Sequence, residues 1–268
     1  MNSRELFEQH FKGNTTSHTR LGIQGESEYS YIMILKRRPA EERGVAVRSW
    51  LHARFSFSFD DYHHPEHCGF HSLIVMNNDT IEPGGGFATH PHENAEIFTY
   101  VISGKLEHRD SMGNGSVILP GNLQYMSAGS GVTHSEFNPS RDQATELYQI
   151  WILPKESGGA PRYSEKKLGT SKASNSLELL FSGDGRHNST QIRQDAEFYF
   201  GQLNPNCQIS LPSNPKFPHS WIQVITGCLS LNDLCLNKAD GLAIEDQDGQ
   251  LILKSAEPTE FFLFQLAT

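Results

Sequence analysis

Apolar residues in this chain come in short alternating runs, not in helical periods. From Met33 onward, stretches rich in Val, Ile, Phe and Tyr recur between clusters of Gly, Pro, Asn and Asp. That grammar predicts an all-β sandwich or barrel. "IFTYVISGKLEHRDSMGNGSVILP" reads as a strand, a turn at Gly104, a second strand, a hairpin at Gly113-Asn114-Gly115 and a third strand. "LAIEDQDGQLILKS" predicts a further hairpin at Asp248-Gly249. One helical pattern interrupts this: residues 3–12 form a short candidate helix, with Ser3 as its cap, Leu6, Phe7 and Phe11 on one side, and Gly13 as its stop. The following "GNTTSHTRLGIQGESEYS" has no apolar period. Residues 1–32 therefore read either as a loose N-terminal extension or as a piece packed onto the domain.

The pattern repeats on a larger scale. "TYVISGKLEH" (99–108) and "IQVITGCLSL" (222–231) share a β-rich run, then Ile-Ser/Thr-Gly, then a return strand. Repetition at this distance implies two similar β-barrels in tandem. The best linker between them is "ILPKESGGAPRYSEKK" (152–167), rich in Gly, Pro and charge. The expected division is 33–152 and 153–268.

Composition narrows the function classes. The 268 residues carry a formal net charge of −9 and a pI near 5.8. Lys36, Arg37 and Arg38 make the one basic block, so direct nucleic-acid binding is not expected, although an acidic chain is compatible with a protein partner. Cys68, Cys207, Cys228 and Cys235 form no C-x-x-C pair and read as reduced thiols, with Cys228 and Cys235 close enough in sequence to meet across a hairpin. Apolar runs such as Tyr31–Leu35 and Tyr148–Leu153 are too short to span a bilayer, and the N-terminus has no apolar signal core. The expectation is a cytoplasmic, monomeric protein.

Candidate chemistry concentrates in two stretches. In "FATHPHENAEIFTYV", His90 and His92 stand at i and i+2 and project to one face of a strand, with Glu96 at the same parity if no bulge intervenes. Alone, a His-x-His is more often a polar rim than a ligand pair. Forty-two residues past His92, however, "AGSGVTHSEFN" supplies a second i, i+2 pair in His134 and Glu136, flanked by glycines. Two such strands brought together would offer three imidazoles and a carboxylate. That donor set suits Fe, Mn, Co, Ni, Cu or Zn and leaves positions open to water or substrate. Parity leaves Glu96 and Glu136 both eligible as the carboxylate.

"GGFATHPHENAEIFTYVISG", "LEHRDSMGNG" and "MSAGSGVTHSEFNPS" strongly resemble the pirin family of the cupin superfamily, in particular its bacterial quercetin 2,3-dioxygenase-like members. The cupin signature G-x5-H-x-H-x3-E is met by Gly84, His90, His92 and Glu96, and its second half in part by Gly131, His134 and Asn138. The resemblance covers nearly all of the chain beyond residue 32. It implies a bicupin, two tandem antiparallel β-barrels of the double-stranded β-helix (jelly-roll) type, with one divalent metal, Fe(II) foremost, in the N-terminal barrel only. It implies His90, His92, His134 and Glu136 as ligands, and Glu96 as a cavity group behind them. The implied activity is O2-dependent opening of the central ring of quercetin-like flavonols with release of CO, Glu136 or Glu96 taking the substrate proton. The alternative implied by the same family is a redox-responsive regulatory or protein-binding factor.

Three further features bear on the site. "HHPEHC" (63–68) gathers His63, His64, His67 and Cys68 without a second ligand pair at matched spacing, so a polar surface loop is the better reading. Phe55 stands where members of the family commonly have histidine, and His52 where they have an acid, which implies a different substrate preference if this region edges the cavity. Phe55, Phe57, Phe59, Phe87, Phe98 and Tyr100 alternate along their strands and are assigned mostly to core, with one or two lining a pocket. In the C-terminal half His219 alone stands near a ligand position.

Overall fold

A computed structural model describes residues 33–169, 175–247 and 249–268. The helix expected over residues 3–12 and the extension 1–32 lie outside the described residues. Among those described, helix is confined to two 3-10 turns, Ala40–Glu42 and Arg186–Asn188. None is long and apolar enough to cross a membrane.

The described residues form 22 strands in four sheets. The first seven-stranded sheet runs, in spatial order, β12 (Arg162–Lys167), β9 (Asn122–Ser127), β6 (Glu96–Ser103), β11 (Thr145–Ile152), β4 (Leu73–Ile81), β3 (Leu51–Phe55) and β2 (Gly44–Val47). A four-stranded sheet faces it: β5 (Gly86–His92), β10 (Val132–Phe137), β7 (Leu106–Asp110) and β8 (Gly115–Ile118). The second seven-stranded sheet runs β1 (Ile34–Arg38), β20 (Gly241–Glu245), β17 (His219–Thr226), β22 (Thr259–Leu266), β15 (Ala196–Leu203), β13 (Ser176–Ser182) and β14 (Thr190–Gln191). Its partner holds β16 (Cys207–Ser210), β21 (Ile252–Ser255), β18 (Leu229–Leu231) and β19 (Leu234–Leu236).

Each half is thus a two-layered β unit with its own core. Leu51, Ala53, Phe55, Ile81 and Val101 from the first large sheet meet Leu106 and Ile118 from the small one. In the second half Ile222, Val224, Leu263 and Phe261 meet Leu229, Leu231 and Leu253. The large sheets then bury their outer faces against each other: Phe98, Tyr100 and Tyr148 pack with Phe181, Phe198, Phe262 and Phe264. This explains the unbroken apolar run "FFLF" (261–264). Successive side chains on a strand point to opposite faces, and here both faces are buried.

The sequence repeat is visible in the backbone. Gly104 (φ +76°) and Gly227 (φ +74°) occupy equivalent left-handed turns, each ending a strand of a large sheet and starting one of a small sheet. A Cβ on either would collide with a threonine, Thr145 or Thr259, that opens the neighbouring strand. The same threonines accept the next backbone N–H at 3.1 Å, Lys105 to Thr145 Oγ1 and Cys228 to Thr259 Oγ1. Glycine is required twice for one reason: only it takes a positive φ this close to a side chain.

Several local expectations are modified. β7 and β8 form the hairpin expected at 113–115. The expected hairpin at Asp248-Gly249 is not one. β20 pairs with β1 and β17, β21 with β16 and β18, so the intervening chain crosses between sheets (Asp248 itself lies outside the described residues). Part of the expected linker is strand: β12 pairs with β9 of the first half. Conversely β1, at the start of the described chain, adds an edge to the second half. Each half thereby lends a strand across the boundary. Cys228 and Cys235 do meet across the β18–β19 hairpin, with Sγ atoms 3.0 Å apart, and both are free thiols.

Candidate metal centre

The site is built on the small sheet of the first half. β10 runs antiparallel to β5 with His134 opposite His90 and Val132 opposite His92. A register shift between His134 and Glu136 then sets Glu136 opposite Phe87. On its other edge β10 pairs with β7, where Glu136 lies opposite His108. Side chains at alternate positions turn inward together. The ligand atoms of His90, His92 and His134 all lie within 4.8 Å of one another, and so do those of His108, His134 and Glu136. The three expected imidazoles therefore form one cluster. Glu136 joins it through His134, in an overlapping cluster that also contains His108.

Hydrogen bonds and burial set the protonation of these groups. His90 Nδ1 lies 2.8 Å from the Ala88 carbonyl, which can only accept, so Nδ1 carries the proton and Nε2 is left as a donor atom for a ligand. That Nε2 faces His134 Nε2 at 3.0 Å. Burial, then the neighbouring imidazoles, hold His92 at about 2 and His134 at about 3, so both rings are neutral at ordinary pH. The Nδ1 atoms of His92 and His134 are buried without a hydrogen-bond partner. Glu136 is 3% exposed, and burial pushes its carboxyl up. Thr99 Oγ1 donates to its Oε1 at 3.3 Å, and Gln149 Nε2 donates to its Oε2 at 3.1 Å. Neutral, converging imidazoles with unpartnered buried nitrogens and a desolvated carboxylate are the donor chemistry of a divalent transition metal. The residues fit such an ion.

Glu96 is placed elsewhere. Shared parity holds only along one continuous strand, but the chain turns at residues 93–95, with Asn94 left-handed (φ +53°), between β5 and β6. β5 belongs to the small sheet and β6 to the large one. On β6 it is Thr99 that reaches Glu136, whereas Glu96 shares parity with Phe98 and Tyr100, which face the second half. The fully buried Glu96 carboxylate accepts from Tyr125 OH at 2.5 Å, Ser127 Oγ at 2.6 Å and the Arg193 backbone N–H at 3.1 Å. It joins the halves and does not meet the three imidazoles.

His108 escaped the sequence reading. It is fully buried, its Nδ1 accepting from Gln124 Nε2 at 3.1 Å and its Nε2 facing Asp110 Oδ2 at 3.3 Å. The signal was the i, i+2 pair His108 and Asp110 in "LEHRD", the same spacing as His134 and Glu136.

Beside the imidazoles lies a cavity of about 340 Å³. Phe55, Phe59, Phe87 and Trp151 form apolar walls, while Asn77, Asp79, Glu136 and Gln149 give it a polar side. Trp151 also stands edge-on to His92, ring centroids 4.8 Å apart. Burial, and then Glu136, push Asp79 up to about 7. Of the alternating aromatics, three line this cavity, more than the one or two expected, and Phe57, Phe98 and Tyr100 pack between the halves. Phe55 does edge the cavity; His52, one residue off in parity, is exposed. "HHPEHC" is an exposed to half-buried loop, and its histidines join no metal-competent group among the described residues. His219 is buried beside Glu245, in a cluster with His71.

Comparison with known proteins agrees with this architecture. Residues 36–152 match the Pirin family model, and 179–266 match that of the Quercetinase C-terminal cupin domain. The chain is 42% identical over 229 residues to quercetin 2,3-dioxygenase of Escherichia coli K12, covering 85% of this chain and 97% of that protein. It is 33% identical over 235 residues to a pirin-like protein of Caulobacter vibrioides, covering 87% and 100%. Among solved structures, the bacterial pirin YhhW of Escherichia coli in complex with nickel(II) superposes with a TM-score of 0.82 at 40% identity, covering 87% of this chain and 99% of that one. The two family matches, the relatives at 42% and 33% identity and the shared two-layered halves lead to one assignment: the chain belongs to the pirin family.

Proposed function

We propose that this protein is a metal-dependent dioxygenase that opens the central ring of quercetin-like flavonols with O2 and releases carbon monoxide. The observation that carries the reading is the cluster of converging imidazoles and a buried carboxylate beside a cavity with aromatic walls. The 42% identity to a quercetin 2,3-dioxygenase supports it. His90, His92, His134 and Glu136 would hold one divalent metal. Iron(II) is our choice, although the donor set also accepts Mn, Co, Ni, Cu or Zn. When bound, that ion supplies Lewis acidity, lowering the pKa of the flavonol 3-hydroxyl.

The chain's own residues do the rest. Glu136 takes the hydroxyl proton, its proton affinity raised by burial. Thr99 and Gln149 fix its two oxygens. We assign Glu96 no part in that step, because its carboxylate lies between the halves, bonded to Tyr125, Ser127 and the Arg193 N–H, and outside the imidazole cluster. The walls formed by Phe55, Phe59, Phe87 and Trp151 suit flat rings and keep water from the reacting oxygen. Deprotonated flavonol and O2 then become a depside and CO. The second half supplies no comparable constellation among the described residues, and we assign it a structural role around this site.

The test is quercetin decay by the purified, metal-loaded protein under air, with CO measured in the headspace. Loss of quercetin with matching CO supports the reading. Absence of turnover with each of these metals overturns it and favours a regulatory, partner-binding role.

A further inference from the structure

We propose that His71, His219 and Glu245 form a second divalent-cation site, at the junction of the two halves and independent of the flavonol chemistry. His71 comes from the first half, in the segment leading into β4. His219 is the first residue of β17, and Glu245 the last residue of β20. β17 and β20 pair with Ser220 opposite Ile244, which brings His219 and Glu245 side by side at the sheet end. His71 then closes the group from the other half. The three ligand atoms lie within 4.8 Å of one another. His71 Nε2 and His219 Nδ1 each stand 2.8 Å from the same Glu245 Oε2.

Two imidazole nitrogens and a carboxylate oxygen are a common zinc ligand set. A tetrahedral ion with bonds of about 2.0–2.1 Å needs ligand atoms about 3.3 Å apart, so small outward rotations open this cluster around an ion. The Glu245 carboxylate can only accept, so Nδ1 of His219 and Nε2 of His71 donate to it here, and Asp246 N–H also approaches Nδ1 at 3.4 Å. An incoming ion would displace those protons, and Thr268 Oγ1, 3.4 Å from His219 Nε2, can accept from the other tautomer. His219 is buried while His71 and Glu245 are half-buried, which leaves a solvent side for water ligands. No lysine or arginine pairs with Glu245 among the described residues; its two ion-pair partners are these histidines. The imidazoles stack, centroids 3.8 Å apart and planes at 16°, and His71 holds a left-handed backbone (φ +50°), a conformation of restricted use outside glycine. An ion here would brace the first half against the second. The class is a borderline divalent metal such as zinc, nickel or cobalt.

The test is calorimetric titration of the full-length, chelator-stripped protein with zinc(II), checked by elemental analysis after dialysis. The wild type is expected to bind two zinc ions per chain. His71→Ala and Glu245→Gln should each lose one of them, weakening it by more than the roughly 10–100-fold that loss of an outer hydrogen-bond partner costs. His90→Ala should lose the other, and His71→Ala/His90→Ala should lose both. Zinc should raise the Tm of His90→Ala but not of the double variant, provided circular dichroism shows both folded. A single ion in the wild type that survives in His71→Ala overturns the proposal, as does a second ion lost in His64→Ala rather than in His71→Ala. Failure of the catalytic-site reading looks different: His90→Ala would leave the zinc count unchanged while His71→Ala lowered it.

Discussion

His90 Nε2 and His134 Nε2, 44 residues apart in the chain, face each other at 3.0 Å across β5 and β10. Two imidazole nitrogens this close share one proton at most, unless a cation takes their lone pairs. Burial and this crowding keep His92 and His134 neutral in the fold, at about 2 and about 3 against an ordinary 6.5. The sign follows: below pH 6.5 the unfolded chain binds protons that the folded chain refuses. Stability of the metal-free protein is full above that pH and is lost as pH falls toward the folded values, at up to about 1.4 kcal/mol per pH unit for each imidazole. Thermal unfolding of the chelated protein across this range measures it. A Tm that does not fall with acidification contradicts the buried, neutral cluster.

Glu96 tests the separation between the metal cluster and the junction. Because its oxygens accept from Tyr125, Ser127 and Arg193, Glu96→Gln sets an amide N–H against those donors. The expected loss is about 1–3 kcal/mol of unfolding free energy, with metal content unchanged. Denaturant titration and elemental analysis on one preparation measure both. Loss of metal without loss of stability would put Glu96 back in the centre.

Phe55 tests the cavity. It walls the space beside His90 and His92 and belongs to the core of the first half. If flavonol rings bind there, Phe55→Leu keeps much of the packing but removes an aromatic wall. KM for quercetin should rise about tenfold, or about 1.4 kcal/mol, just under the roughly 1.5–3 kcal/mol carried by a fully buried apolar side chain, while metal content stays constant. Steady-state kinetics with parallel metal analysis measures this. An unchanged KM places the substrate elsewhere.

The parts of the architecture legible in the sequence were those fixed by short-range rules. Alternation gave strands, Gly104 and Gly227 marked the repeat, and the two i, i+2 pairs marked the cluster, because pleat geometry alone aligns such residues. What was hidden depends on which sheet a strand joins. Glu96 matched His90 and His92 in parity, yet the turn at 93–95 sends β6 into the other sheet. β20 and β21 flank a hairpin signal but take partners far away in the chain. His108 and Asp110 had the informative spacing but no second motif to attach it to. The exchange of β1 and β12 across the boundary follows from pairing that no local pattern encodes.

The most direct measurement is metal content and quercetin decay on the same preparations of the wild-type protein and His90→Ala, each reloaded with iron(II) under argon and then exposed to air. The account predicts that His90→Ala holds one metal ion fewer per chain and that quercetin loss and CO release vanish with that ion. A His90→Ala variant that keeps its full metal content, or one that loses the ion yet still consumes quercetin at the wild-type rate, would contradict it.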